Sequence, residues 1–158
     1  MVRFRAIRVI LPSLPAAVAA ASLALVFLPA HAREVFPGPV TAEVERVVDG
    51  DTLEVRARIW LGQELLVLVR LRGIDAPEAG SKCEAERALA RRAAAFLRAA
   101  TETGRVTLTD ISGGKYYGRV LARVTTAEGR DVAAALERVR LARQYSGGPR
   151  QPWCPLPE

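Results

Sequence analysis

Three consecutive stretches of the chain have the pattern of strands, and in the first two of them hydrophobic and polar residues alternate, as in a strand with one buried face. The three stretches are Val40–Val48, Leu53–Trp60 and Gln63–Ile74. Asp49-Gly50 between the first two stretches and Gly62 between the last two favour tight turns, so we expect hairpins. Within the third stretch, the unbroken apolar run Leu65–Val69 predicts a strand that is buried on both faces.

The apolar spacing changes after Pro77 and predicts an amphipathic helix over Lys82–Thr101 that ends near Gly104. Two more alternating stretches and a second helical stretch follow, at Arg105–Ile111, Arg119–Thr126 and Asp131–Arg143. This order of elements is compatible with a five-stranded oligonucleotide-binding (OB) barrel, in which the third strand joins both ends of the sheet. We therefore predict an α+β fold that is mainly β, with one helix between strands 3 and 4 and a C-terminal helix.

The first 32 residues have the composition of a secretory signal peptide. Arg3, Arg5 and Arg8 precede a long apolar run, which ends in the cleavage pattern Ala30-His31-Ala32. An uncleaved anchor is the alternative, because the run approaches the roughly 20 residues that span a bilayer. The predicted divisions are the signal peptide (1–32), a linker (33–39), the folded domain (40–146) and a Pro- and Gly-rich tail (147–158). We expect a secreted or periplasmic protein without stable membrane association after cleavage.

Removal of the signal peptide changes the charge and the available chemistry. The chain has 23 basic and 17 acidic residues, and loss of three arginines lowers its net charge from +6 to +3, a weak bias toward anionic partners. His31 is the only histidine and leaves with the signal, which excludes a histidine base, a Ser-His-Asp triad and histidine-ligated zinc. The remaining chemistry must use carboxylates, arginines, tyrosines or a hard metal ion.

Two cysteines, Cys83 and Cys154, remain in the mature chain. An even number of cysteines in an exported protein favours a disulfide, which would tie the start of the first helix to the C-terminal tail. A reactive thiol pair is the alternative, although the sequence has no Cys-x-x-Cys spacing.

Three acidic residues and two arginines lie at predicted strand ends and turns, where side chains can converge outside the core. They are Asp51, Asp75, Glu78, Arg70 and Arg119. If Asp51 and Asp75 share one cation, their oxygen ligands select a hard ion, Ca²⁺ or Mg²⁺. Arginines bind phosphate oxygens through bidentate forks, and Glu78 is close enough in sequence to Asp75 to orient or deprotonate a water. Each feature alone is also typical of a turn or a solvated face, so the hypothesis rests on their order and spacing.

Three segments, Val48–Leu53, Val69–Glu78 and Tyr117–Arg119, resemble the motifs of the staphylococcal nuclease (thermonuclease) family. The resemblance spans about Val40 to Tyr145, nearly the whole mature chain. It implies an OB barrel with Ca²⁺ as cofactor and hydrolysis of DNA and RNA to 3′-phosphate products. We expect a monomer that prefers single-stranded substrates.

The resemblance also implies roles for individual residues by motif position. The implied calcium ligands are the carboxylates of Asp51 and Asp75 and the backbone carbonyl of Ala76; the implied catalytic residues are Arg70, Glu78 and Arg119; the implied nucleotide contacts are Tyr117 and Tyr145. Glu78 matches the general base, and the two arginines match the ligands of the phosphate.

Four positions depart from the family pattern. Ala76 stands where the best-known member has Thr, Lys115 replaces a frequent acidic residue, Arg140 replaces a Gly, and Lys82 alone remains of a basic loop. These departures bear on affinity and substrate preference. Two other functions therefore stay open besides a nuclease: a barrel that binds nucleic acid or protein without cutting, and a structural domain whose tail docks a partner.

Overall fold

The computed structural model describes residues 34–116 and 118–154, so the predicted signal peptide and Tyr117 lie outside the described residues. In chain order the elements are β1 (Val35–Phe36), β2 (Val40–Asp49), β3 (Thr52–Trp60), β4 (Gln63–Leu71), β5 (Ile74–Asp75), α1 (Glu84–Ala100), β6 (Arg105–Gly113), β7 (Arg119–Thr126), α2 (Val132–Arg138) and β8 (Arg143–Gln144). Within the described ranges, neither helix is long and apolar enough to cross a membrane.

Five strands close into a barrel. Strand β3 pairs with β2 on one side and β4 on the other, and β2 also pairs with β6, all antiparallel. Strand β4 pairs in parallel with β7, and β7 returns antiparallel to β6, which closes the ring. The predicted mainly β fold with an OB-type barrel and two helices is confirmed. Closure leaves each of these strands with a neighbour on both sides over part of its length.

The core forms where the alternating apolar positions of the strands meet one face of each helix. Leu53, Val55 and Ala57 of β3 are buried, as their spacing of two residues predicts. The helices contribute the buried side chains of Ala90, Ala93, Leu97, Val132 and Leu136. The small alanines of α1 allow this helix to lie close to the barrel, which matters for the turn that carries Asp51.

The run Leu65–Val69 was predicted to be buried on both faces, and this prediction is wrong. Leu65 is 50% exposed and Leu66 is 56% exposed. The reason is the pairing of β4, because only Leu68–Leu71 has β7 as a second neighbour. The first half of the strand pairs with β3 alone and forms a hairpin with one side open.

The predicted third strand was too long, because β4 ends at Leu71 and a separate strand, β5, follows. Gly73 has a φ of 85°, a left-handed conformation that glycine adopts at low cost. The turn directs the chain away from β7 and into pairing with β8, where Asp75 lies opposite Arg143. This break in the strand determines where Asp75 lies.

Helix α2 is also shorter than the predicted Asp131–Arg143. The amide of Leu141 donates to the carbonyl of Leu136 at 3.0 Å, and the amide of Arg140 donates to Glu137 at 2.9 Å. These two bonds, with Arg140 at a φ of 59°, form a Schellman motif. The family pattern has Gly at this position, and Gly adopts the left-handed conformation at lower cost than Arg.

We expect Arg140→Gly to raise the free energy of unfolding by about 1 kcal/mol, because a residue with a Cβ pays a steric cost in the left-handed region. Arg138→Gly, in the last turn of α2, is the matched control and should lower the free energy of unfolding by about 1 kcal/mol. Urea unfolding of the three proteins measures both changes. A loss of stability in Arg140→Gly would contradict the explanation.

Candidate active site

The turn between β2 and β3 places Asp51 inside the protein. A Cβ on Gly50 would lie 2.7 Å from the Cβ of Ala93 and 3.1 Å from the Cβ of Ala76. The turn therefore packs directly against α1 and against the segment after β5. The carbonyl of Asp51 accepts from the amide of Leu71 at 2.8 Å, so the turn is also bonded to the end of β4. Asp51 is buried as a consequence.

Asp51 and Arg70 form a bidentate ion pair. The Nη1 of Arg70 lies 2.8 Å from Oδ1 of Asp51, and its Nη2 lies 2.8 Å from Oδ2. The hydroxyl of Thr52 donates to Oδ1 at 2.9 Å, and the amide of Ala76 donates to Oδ2 at 3.3 Å. Burial raises the pKa of Asp51 to about 7, against the opposing effect of the Arg70 charge. The carboxylate is thus buried at a cost that a second cation would reduce.

Asp75 lies at the centre of a group of cationic and polar side chains. Its Oδ1 forms an ion pair with Arg150 and lies 3.7 Å from Nη2 of Arg70. Its Oδ2 accepts from the indole Nε1 of Trp153 at 3.1 Å and lies 3.9 Å from Nη2 of Arg143. Asp51 and Asp75 therefore approach the same nitrogen of Arg70. The structure brings the two predicted calcium carboxylates together.

The backbone carbonyl of Ala76 and the side chain of Glu78 border the same cluster. The carbonyl of Ala76 accepts from Nη2 of Arg150 at 3.0 Å, and Oε1 of Glu78 forms an ion pair with Nη1 of Arg150. The Glu78 side chain is 50% exposed, in contrast to the two buried aspartates, so water can reach it. Its amide donates to Glu86 at 3.0 Å, which links the segment to the first turn of α1.

Arg119 lies on β7 opposite Leu68 of β4, two residues before the register position of Arg70. Paired residues of neighbouring strands point to the same face, so Arg119 and Arg70 share the outer face of the barrel. The guanidinium of Arg119 lies 4.8 Å from the centre of the Tyr116 ring. Among the described contacts it has no acidic partner, so it is placed near the cluster without being part of the ion-pair network.

Tyr145 lines a cavity of about 220 Å³ together with Asp75 and Arg143. It also lines a larger cavity of about 460 Å³ whose wall includes Arg72 and Arg123. The hydroxyl of Tyr145 donates to the carbonyl of Gly148 at 2.6 Å. The residue therefore lies beside Asp75 at the edge of the cluster, with its hydroxyl bonded to the tail. Tyr117 lies outside the described residues.

Sequence reasoning missed three residues of the site: Arg143, Arg150 and Trp153. All three contact Asp75 and belong to β8 or to the tail that follows it. A signal was present, because Cys83 lies five positions after Glu78 and Cys154 directly follows Trp153. Cys83 and Cys154 are bonded in the structure, with their Cα atoms 6.4 Å apart. A bond between these two positions has to bring the tail next to Glu78.

The donor chemistry of the cluster fits a hard cation. Oδ1 of Asp75 is buried and accepts no hydrogen bond from the described residues, which leaves an anionic oxygen that only positive groups approach. The carboxylate of Asp51 and the carbonyl of Ala76 supply further oxygens of the type that Ca²⁺ prefers. The described residues hold no group of three or more Asp, Glu, His or Cys side chains arranged for a metal, so a bound ion would depend on carbonyl oxygen and water for its other ligands.

The closed barrel and a buried acid cluster beside outward-facing arginines define a nuclease-like or nucleic-acid-binding protein. A family model described as Staphylococcal nuclease homologue matches residues 68–152, more than half of the chain, and the chain belongs to this family. No curated protein matches the chain. Asp51 precedes the matched range, so its place in the site depends on the contacts with Arg70 and Ala76 described above.

Proposed function

We propose that this chain is an exported, Ca²⁺-dependent nuclease that hydrolyses phosphodiester bonds of DNA and RNA, single strands in preference, and leaves 3′-phosphates. One observation carries the proposal: Asp51 and Asp75 meet at Arg70, beside the carbonyl of Ala76 and the exposed carboxylate of Glu78. The composition of the first 32 residues supports export to the periplasm or the medium. We further propose that the mature protein acts as a monomer.

The side chains of the site have different roles in hydrolysis. Arg70 and Arg119, on one face of the barrel, bind the non-bridging oxygens of the phosphate and neutralise the charge that grows as water attacks. Glu78 is the exposed carboxylate and takes the proton of the attacking water. The water oxygen forms a new bond to phosphorus as the bond from phosphorus to the 5′-oxygen breaks, and the 5′-oxygen takes a proton from solvent water and leaves as a hydroxyl. Asp51, Asp75 and the carbonyl of Ala76 would hold Ca²⁺, which would supply additional positive charge to the phosphate.

A cleavage assay tests the proposal. The mature chain, residues 33–158, should shorten single-stranded DNA and RNA when Ca²⁺ is present, and a chelator should stop the reaction. Glu78→Gln keeps the shape of the side chain and removes its basicity, so we expect about a hundredfold lower rate. Comparison of Ca²⁺ with Mg²⁺ identifies the ion. A rate in the native protein no higher than in Glu78→Gln would refute hydrolysis at this site.

A second candidate function is binding of nucleic acid without cleavage. One observation favours it: Arg150 already contacts Asp75, Ala76 and Glu78, which carry the groups that hydrolysis requires. Ala76, Lys115 and the single Lys82 of the shortened basic loop add departures from the family pattern. Retention of labelled single strands at unchanged length, with and without Ca²⁺, would establish this function in place of the first.

A further inference from the structure

The end of the described chain returns across the acid cluster and is held on both sides. We refer to residues 145–154 as the strap. At its start, β8 pairs with β5, and the amide of Tyr145 donates to the carbonyl of Gly73 at 2.8 Å. At its end, Cys154 is bonded to Cys83, the residue before α1. The strap is therefore fixed at both ends, and Arg150 between them contacts Asp75.

Contacts from Arg143 and Asp75 to the strap hold its shape without using Arg150. The guanidinium of Arg143 donates to the carbonyl of Gln151 at 2.9 Å and to that of Pro152 at 3.2 Å. The same guanidinium lies 3.7 Å from the centre of the Trp153 ring, and the indole of Trp153 donates to Asp75. Because these contacts already order the strap, Arg150 loses little further conformational entropy when it contacts the cluster.

Arg150 reaches three groups that the proposed function assigns to the cation and to the water. One guanidinium contacts Oδ1 of Asp75, the carbonyl of Ala76 and Oε1 of Glu78. An arginine side chain keeps its proton in proteins. Arg150 thus stays charged and is the positive group closest to Oδ1 of Asp75.

We propose that the strap is a competitor for the cation built into the chain: the guanidinium of Arg150 and a divalent ion bind the same oxygens, and one displaces the other. The inference rests on the proposed function, since it concerns the same Ca²⁺ site. A guanidinium and a metal ion cannot both contact Oδ1 of Asp75 and the carbonyl of Ala76. The apparent affinity for Ca²⁺ is therefore the intrinsic affinity multiplied by the fraction of molecules in which Arg150 is withdrawn.

The disulfide determines how effectively Arg150 competes. Arg150 is four residues from Cys154 and five from Tyr145, so both fixed points are close and its local concentration at the cluster is high. Opening of the disulfide frees one end and leaves the other, because β8 remains paired with β5. The proposal thus predicts stronger Ca²⁺ binding in a strap held at one end and the strongest in a strap without Arg150.

Calorimetric titration of the full mature chain with Ca²⁺, in the absence of nucleic acid, tests the competition. We expect the Kd for Ca²⁺ to fall about tenfold in Arg150→Gln and about threefold in the double variant Cys83→Ser/Cys154→Ser. Arg150→Lys keeps the charge but cannot fork across three groups, so its Kd should fall about threefold. Arg130→Gln removes an exposed arginine that pairs with Glu128, outside the cluster, and serves as the control for net charge.

The outcomes separate this proposal from the one on which it rests. Binding of Ca²⁺ that Arg150→Gln does not tighten, or tightens no more than Arg130→Gln, overturns the strap proposal and leaves the nuclease proposal standing. The same holds if Arg150→Lys binds Ca²⁺ as the native chain does, because the effect is then one of charge alone. Absence of Ca²⁺ binding in every variant overturns both.

Discussion

Replacement of Asp75 by Asn is expected to lower the rate of Ca²⁺-dependent cleavage at least about a thousandfold, because loss of the metal charge is worth several kcal/mol. Oδ1 of Asp75 is the buried oxygen that accepts no hydrogen bond from the described part of the chain. Asn retains the shape of the side chain but has no charge with which to hold a divalent ion. Calorimetry should therefore show loss of Ca²⁺ binding in parallel with loss of cleavage.

Asp110→Asn is the matched control for this variant. Asp110 is an exposed acid 3.5 Å from Arg123, outside the cluster, and its φ of 51° is one that Asn tolerates well. We expect its rate to stay within about twofold of the native rate, in line with the small effects of most surface substitutions. Circular dichroism of both variants shows whether the barrel is intact. A folded Asp75→Asn protein that cleaves within tenfold of the native rate would rule out a metal role for Asp75.

Replacement of Arg70 by Ala is expected to lower the free energy of unfolding by about 3–5 kcal/mol, the usual result when one partner of a buried ion pair is removed. Asp51 is buried, and both of its oxygens lie 2.8 Å from Arg70 nitrogens. Without Arg70 this carboxylate keeps only the bonds from Thr52 and from the amide of Ala76. Cleavage should also fall, since Arg70 is a proposed phosphate ligand.

Arg46→Ala provides the comparison at the surface. Arg46 also contacts both oxygens of one carboxylate, that of Glu54, at 2.7 and 3.2 Å, but its side chain is 58% exposed. We expect a loss of only about 0–1 kcal/mol there, because water screens the pair. Added Ca²⁺ should recover part of the stability of Arg70→Ala by giving Asp51 another positive partner. Equal losses in the two variants, measured by urea unfolding, would show that burial of the Arg70 pair contributes nothing.

The spacing of hydrophobic and polar residues was sufficient to predict the barrel fold. Alternation along Val40–Val48 and Leu53–Trp60 and the period of Lys82–Thr101 depend on local geometry, since side chains of strands and helices repeat at fixed intervals. The motif residues Asp51, Arg70 and Asp75 were selected from the same pattern with the help of a family resemblance. The sequence could not show that these side chains contact one another, because the contacts join segments that are distant along the chain.

Pairing between distant segments determined the features of the fold that the sequence pattern did not predict. Leu65 and Leu66 look like core residues, but they are exposed because β7 pairs only with the second half of β4. The sequence cannot show this exposure. How many residues of a strand pair with a second neighbouring strand depends on how the barrel closes. The break at Gly73 is a similar case, because pairing of β5 with β8 competes with continuation of β4.

The sequence by itself determined the main strands and the presence of two helices, the barrel class, the pair of cysteines and the acidic and arginine residues worth considering, because these follow from local periodicity and residue chemistry. Only the tertiary structure decided which groups meet Asp75. Arg150 and Trp153 lie 75 or more positions further along the chain and carry no motif that the barrel pattern contains. They reach Asp75 because strand pairing and one covalent bond hold the two ends of the strap, and these long-range constraints leave no trace in local spacing.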